Sequence, residues 1–147
     1  METSRADTRV TFIDELTKVS RKLRTAFDAQ VKARELTMAR ARTLLRLLRH
    51  DGITQTELAF ELEIEGPTLV RLLDHLETQR LIERRPVEGD RRAKRVALTK
   101  EGRAQAGLVS GLADDIRETV LTDVAEDDLQ TAIRVFRAMS RNIEAIA

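Results

Sequence analysis

Apolar residues recur along the chain with a helical period for most of its length. Between residues 10 and 34, Phe12, Leu16, Val19, Leu23, Phe27 and Val31 are spaced 4, 3, 4, 4 and 4 apart, one stripe of a long amphipathic helix. Thr37 can cap a second helix running through Arg49, with Leu44, Leu45, Leu47 and Leu48 expected inside and Gly52 as its stop. Thr54-Gln-Thr-Glu57 has the form of a capping box and opens a short helix that turns Leu58, Ala59 and Leu62 inward. Glu63 to Gly66 breaks it, and Pro67 suits the first turn of the next helix, which is expected to reach about Gln79. Leu69, Leu72, Leu73 and Leu76 form the apolar face of that helix, with Thr68, Arg71, Asp74 and His75 on the other side. The period then changes. Leu81–Pro86 and Lys94–Leu98 are expected to be short strands joined by a basic turn, Val87–Arg92. Thr99 caps a helix to about Leu121 with Ala104, Leu108, Leu112, Ile116 and Val120 as its stripe. Asp123–Glu126 forms a second capping box, with Asp127 and Asp128 favouring the same helix N-terminus. Leu129, Ile133, Phe136, Met139, Ile143 and Ile146 complete a last stripe. The sequence holds no internal repeat and no low-complexity segment.

A short helix, a tight turn, a second helix and a hairpin, in that order and flanked by long helices, predict a winged helix-turn-helix. The expected fold is mainly α (α+β), a single domain over 1–147. Within it, 37–101 form the winged helix-turn-helix region, and 8–35 and 103–147 form N- and C-terminal dimerisation helices. The terminal stripes are too long to be covered by one small core, so a second copy of the chain is expected against them.

Composition narrows the chemistry. With 147 residues, 41% hydrophobic and 35% charged, the chain buries a core without staples. The absence of cysteine excludes disulfides, thiolate nucleophiles and cysteine zinc sites. Two histidines, His50 and His75, lack companion ligands, so neither a metal nor a cofactor is expected. Aromatic residues are 3%, all phenylalanine, which argues against stacking platforms for single strands. No apolar run is long enough to span a membrane and no signal-peptide pattern precedes residue 10, so a cytoplasmic protein with no membrane partner is expected. The acids fall at helix starts and on acidic faces, and no phosphate-binding glycine motif occurs, so an enzyme is not expected.

The net charge of +1 conceals strong segregation. Residues 21–49 carry nine basic residues against Asp28 and Glu35; residues 80–100 carry eight against Glu83, Glu88 and Asp90. Residues 101–147 are net acidic, and arginine outnumbers lysine 21 to 5. Planar guanidinium groups fork onto phosphates and guanine edges. On the second helix of the helix-turn-helix, Pro67, Thr68 and Arg71 are placed to meet base edges in a major groove. Gln55 and Thr56 start the first helix, where hydroxyl, amide and N–H groups hold phosphates. In the hairpin, Arg91 and Arg92, flanked by Arg84 and Lys94, suit a narrow electronegative minor groove, and Asp90 is expected to close the turn or orient an arginine. The plain alternative is a set of solvated charged faces on a winged module that binds another protein, which the acids of 57–65 favour.

Asp90-Arg-Arg-Ala-Lys-Arg-Val-Ala-Leu-Thr99 fits the wing signature D-x-R-x-K-x-x-x-L-T of the MarR family of bacterial transcription regulators. Leu62–Glu77, followed by Leu81-Ile-Glu-Arg84, resembles the recognition helix of that family's SlyA subgroup. The similarity is strong over about 36–102. It implies a homodimer on a near-palindromic double-stranded operator, in the sense of a repressor. It further implies Arg92 in the minor groove, Asp90 ordering the wing and Arg71 at a major-groove base. Family members bind small aromatic or phenolic carboxylates between their dimerisation helices and winged domain. Arg21 and Arg24 are the candidate carboxylate holders here, with Phe27, Met38 and Ala41 as apolar lining; the alternative is that the arginines form ion pairs with Asp28 or Glu35 and that Phe27 is core. Lacking cysteine, the chain departs from the peroxide-sensing branch.

Overall fold

The computed structural model describes residues 4–146. Its elements are α1 (Arg5–Lys32), α2 (Met38–Arg49), β1 (Ile53–Thr54), α3 (Gln55–Leu62), α4 (Gly66–Thr78), β2 (Ile82–Val87), β3 (Asp90–Leu98), α5 (Lys100–Val120) and α6 (Glu126–Glu144). The order is that of a winged helix-turn-helix between long helices. Two compact units divide the chain, Met1–Ile116 and Arg117–Ala147. Among the described residues no helix is long and apolar enough to cross a membrane.

Helix starts follow the hydroxyl residues. Thr37, Thr54 and Thr99 each accept a hydrogen bond from the backbone N–H three residues on, Arg40, Glu57 and Gly102. Each bond satisfies one of the donors that a first turn leaves without a partner. The second expected capping box does not form. Asp123 adopts a left-handed φ of 62°, and α6 starts after Ala125 with no side-chain cap. Its first turn is instead rich in acids, Glu126, Asp127 and Asp128, which face the positive end of the helix dipole.

The winged region closes on Leu44 and Leu47 of α2, Leu58 and Leu62 of α3, Leu69, Leu73 and Leu76 of α4, and Ile82, Val96 and Leu98 of the sheet. A second apolar cluster joins Val31 of α1, Ala41 of α2, and Val109 and Leu112 of α5, with Phe27, Leu45 and Ile116 at its margin. Two expectations for these helices are corrected. Leu48 is exposed and Leu45 only half-buried, because a single face of α2 meets the core. On α5 the buried residues are Gly102, Ala106, Val109 and Leu112, while Ala104, Leu108 and Val120 lie outside. A strict spacing of four drifts by about 40° per step around a helix of 3.6 residues per turn, so that stripe strays from any single face.

The sheet is antiparallel in the order β1-β3-β2. β1, two residues long, has no counterpart among the elements expected from the sequence; it pairs Ile53 with Val96 and Thr54 with Arg95. β3 also begins earlier than Lys94. Asp90, Arg91 and Arg92 belong to the strand, and only Glu88 and Gly89 make the turn, Gly89 with φ +83°. Gly102 fixes the junction between the hairpin and α5: a Cβ there would lie 1.8 Å from the Leu81 carbonyl oxygen.

Candidate nucleic-acid interface

The winged region, 37–101, carries eleven arginines and two lysines against eleven acids, and the structure sorts several of the cations of this unit into two groups. Arg84 donates from Nε and Nη2 to both carboxylate oxygens of Glu77, at 3.1 Å each, and from Nη2 to Asp74 at 2.5 Å. Arg85 pairs with Glu83 at 3.0 Å, and Arg103 with Asp51 at 2.7 Å. Arg95 donates to the Gly52 carbonyl at 2.9 Å. These four guanidinium groups are engaged within the fold.

The second group has no carboxylate partner. Arg71 is exposed on α4, and Arg91, Arg92 and Lys94 are exposed along β3, none in an ion pair among the described residues. Asp90 shows why an acid stands beside them: its Oδ1 accepts the Arg92 N–H at 2.9 Å, a local bond that shapes the strand start next to the turn. Thr68 and Pro67 are exposed in the first turn of α4, where Leu69 and Leu73 anchor the opposite face. Thr56 is exposed at the start of α3. Gln55 differs. It is half-buried, and its Oε1 is buried with no hydrogen-bond partner among the described residues.

One unit thus presents a helix face with Thr68 and Arg71 and a hairpin arm with three unpaired cations. A helix fits a major groove and a two-stranded arm a minor groove. The acids of α3 do not spread over this face evenly: Glu61 pairs with Arg46 of α2 at 3.3 Å, while Glu57 lines an open groove with Thr56 and the exposed ring of Phe60.

The residues expected to line an effector pocket are placed differently from one another. Arg21 and Arg24 are exposed on α1, and Asp28, one alternative partner, pairs instead with Lys32 at 2.9 Å. Met38 is half-buried at the start of α2. Ala41, by contrast, is fully buried, and Phe27 packs against the same cluster as Val31 and Val109.

Two residues have roles that the sequence does not announce. Asp51 accepts the Leu98 N–H at 3.2 Å through Oδ1 and the Arg103 guanidinium through Oδ2, tying the α2–β1 turn to β3 and α5. Its partners lie 47 and 52 residues away, so no local pattern points to it. Arg84 belongs by sequence with the hairpin cations, although the two-residue period Ile82–Arg84 places it on the face that Ile82 buries.

Comparison with known proteins agrees with the winged fold. The sequence model of the MarR family matches residues 35–93. The chain is 38% identical to the transcriptional regulator PA3341, over 91% of this chain and 98% of that one, with a TM-score of 0.82. It is 25% identical to MepR of S. aureus in its DNA-binding conformation, covering 90% and 98% of the two chains, with a TM-score of 0.79. FabT of Streptococcus pneumoniae, solved in complex with DNA, shares the fold at 18% identity and a TM-score of 0.79, over 95% and 99%.

Proposed function

The chain belongs to the MarR family, and from that premise we propose that it is a homodimeric, sequence-specific double-stranded DNA-binding transcription regulator. One observation carries this reading: Arg71 on the outer face of α4 and Arg91, Arg92 and Lys94 along β3 are exposed and have no carboxylate partner among the described residues, where a duplex would need them. Arg71 forks onto a major-groove base with Thr68 and Pro67 beside it, Thr56 and Gln55 approach phosphates, and Arg91, Arg92 and Lys94 follow the minor groove and its phosphates. Asp90 shapes the arm that carries them. A relative in a DNA-binding conformation and a structural neighbour solved in complex with DNA support duplex DNA as the partner.

The dimer rests on apolar side chains left uncovered at both ends of the chain: Val10, Ile13, Val19 and Leu23 on α1, and Ile133, Ile143 and Ile146 toward the C-terminus. Patches of this extent mark contact surfaces. Two recognition helices then meet half-sites about one helical turn apart, ~34 Å, on a near-palindromic operator. In this reading the protein acts as a repressor of the SlyA type. A small aromatic carboxylate, held by Arg21 and Arg24 with Met38 beside them, releases it by shifting the dimer between two arrangements. Ala41 and Phe27 act there only as the packed floor.

Selection from random duplexes at about 0.15 M salt tests the reading, because specific sites outcompete non-specific ones under that condition. A palindrome with half-sites about 10 base pairs apart is expected. The enriched sequence should lose its preference at one base position in Arg71→Ala and be recovered more weakly in Arg92→Ala. No enriched sequence from the wild type would favour a protein-binding winged module instead.

A further inference from the structure

Arg84 sits on β2 between the hairpin and the recognition helix. Its side chain is 20% exposed, and both carboxylates it meets come from one face of α4, three residues apart. Nε and Nη2 take the two oxygens of Glu77 as a parallel fork, and Nη2 also reaches Asp74. Such a fork fixes orientation as well as distance, which a single ammonium cannot do. The cluster of one cation and two carboxylates is net negative, so it repels a phosphate rather than attracting one. Glu77 is held below the ordinary glutamate value chiefly by its hydrogen bond to Arg84, which keeps the fork ionised at neutral pH.

We infer that Arg84 is a positioning residue that locks the hairpin to α4, so that Arg71 and Arg92 reach their two grooves in one fixed geometry, and that it makes no DNA contact itself. The inference rests on the DNA-binding reading for its consequence, although the lock itself is a property of the free protein. The rest of the attachment is apolar: Ile82 at the start of β2 packs with Leu73 and Leu76, and beyond it Arg84 joins the outer strand to the helix by polar bonds. Apolar packing near the strand start leaves the distal hairpin free to pivot, and the fork four residues from the turn limits that pivot.

Two experiments separate the lock from a phosphate contact. The chain has no cysteine, so His75→Cys on α4 and Glu88→Cys at the turn can carry a pair of spin labels in otherwise native protein. The distance distribution is expected to be narrow, and to broaden in Arg84→Gln and in Asp74→Asn/Glu77→Gln. An unchanged distribution in both overturns the lock, whatever the DNA result. On an operator recovered by selection, Arg84→Gln is expected to lower specific affinity about tenfold with the logarithmic salt slope unchanged, whereas removing a cation that neutralised a phosphate would reduce the slope by about 0.9. Asp74→Asn/Glu77→Gln removes two negative charges beside DNA yet is expected to weaken specific binding as well. Tighter binding by that variant, or wild-type affinity in Arg84→Lys, would show that only charge matters and overturn the inference. Broadening in a protein whose wild type selects no sequence would leave the lock standing and refute its role in DNA reading. Melting curves of each variant check that the fold is kept.

Discussion

Individual side chains decide how the winged unit is joined. Gly102 is required by space: any Cβ there would overlap the Leu81 carbonyl, and backbone cannot move aside cheaply. Gly102→Ala is expected to destabilise the protein by about 3 kcal/mol, at the upper end of overpacking effects, and to lower the midpoint in a thermal melt followed by circular dichroism. Leu44 and Leu73, both fully buried, tie α2 and α4 to the same core. Titration adds a second residue-scale expectation. The folded-state pKa of Glu77 is depressed, so its contribution is present above the unfolded value and is lost as pH falls through the folded one. Stability of the wild type should therefore fall more on acidification, below about the ordinary glutamate range, than that of Glu77→Gln. Equal acid sensitivity of the two in urea melts would show that the Glu77 carboxylate plays no part in acid unfolding.

In the proposed reading the recognition helix and the wing meet different parts of a duplex, and their variants should behave differently. Arg71→Ala is expected to cost about 2 kcal/mol and to relax preference at one base position, seen by comparing single-base operator variants. Arg92→Ala should weaken binding across sequences alike and reduce the salt slope by about 0.9 for each phosphate it leaves unneutralised. Helix starts are legible in the sequence because a hydroxyl and the N–H three residues on are neighbours in the chain: Thr37, Thr54 and Thr99 all cap as their spacing implies. Asp123 has the same local signal and does not cap: it is left-handed, and the extended residue from which α6 starts is Ala125, two positions on. The limits of the hairpin are blurred for another reason. Asp90 pairs with Val87, which leaves Glu88-Gly89 as the turn, and the register shifts between Pro86 and Val87, so Arg91 and Arg92 fall in an irregular stretch of β3.

For the whole molecule, the proposed dimer rests on the apolar side chains exposed on α1 and on α6. A charge on such a face must be desolvated by association, which opposes it. Ile133→Asp or Val19→Asp is thus expected to give a monomer in sedimentation velocity, with specific DNA binding lost and the winged unit still folded by circular dichroism. A dimer that survived both substitutions would place the subunit contact elsewhere.

The sequence by itself determined the element order, the winged topology, most core leucines and the cationic hairpin, since these depend on periodicity and on caps a few residues long. Tertiary structure decided which face of α5 is buried, where Leu48 points, the existence of β1 and the burial of Ala41. It also decided the work of each arginine. Arg71, Arg84, Arg92 and Arg95 are alike as letters, but carboxylates or a carbonyl brought from distant positions engage Arg84 and Arg95 while Arg71 and Arg92 stay open to solvent. Charge is written in the chain; whether it is neutralised depends on what the fold brings within about 3 to 4 Å of it, since in water an ion pair's attraction weakens steeply beyond contact.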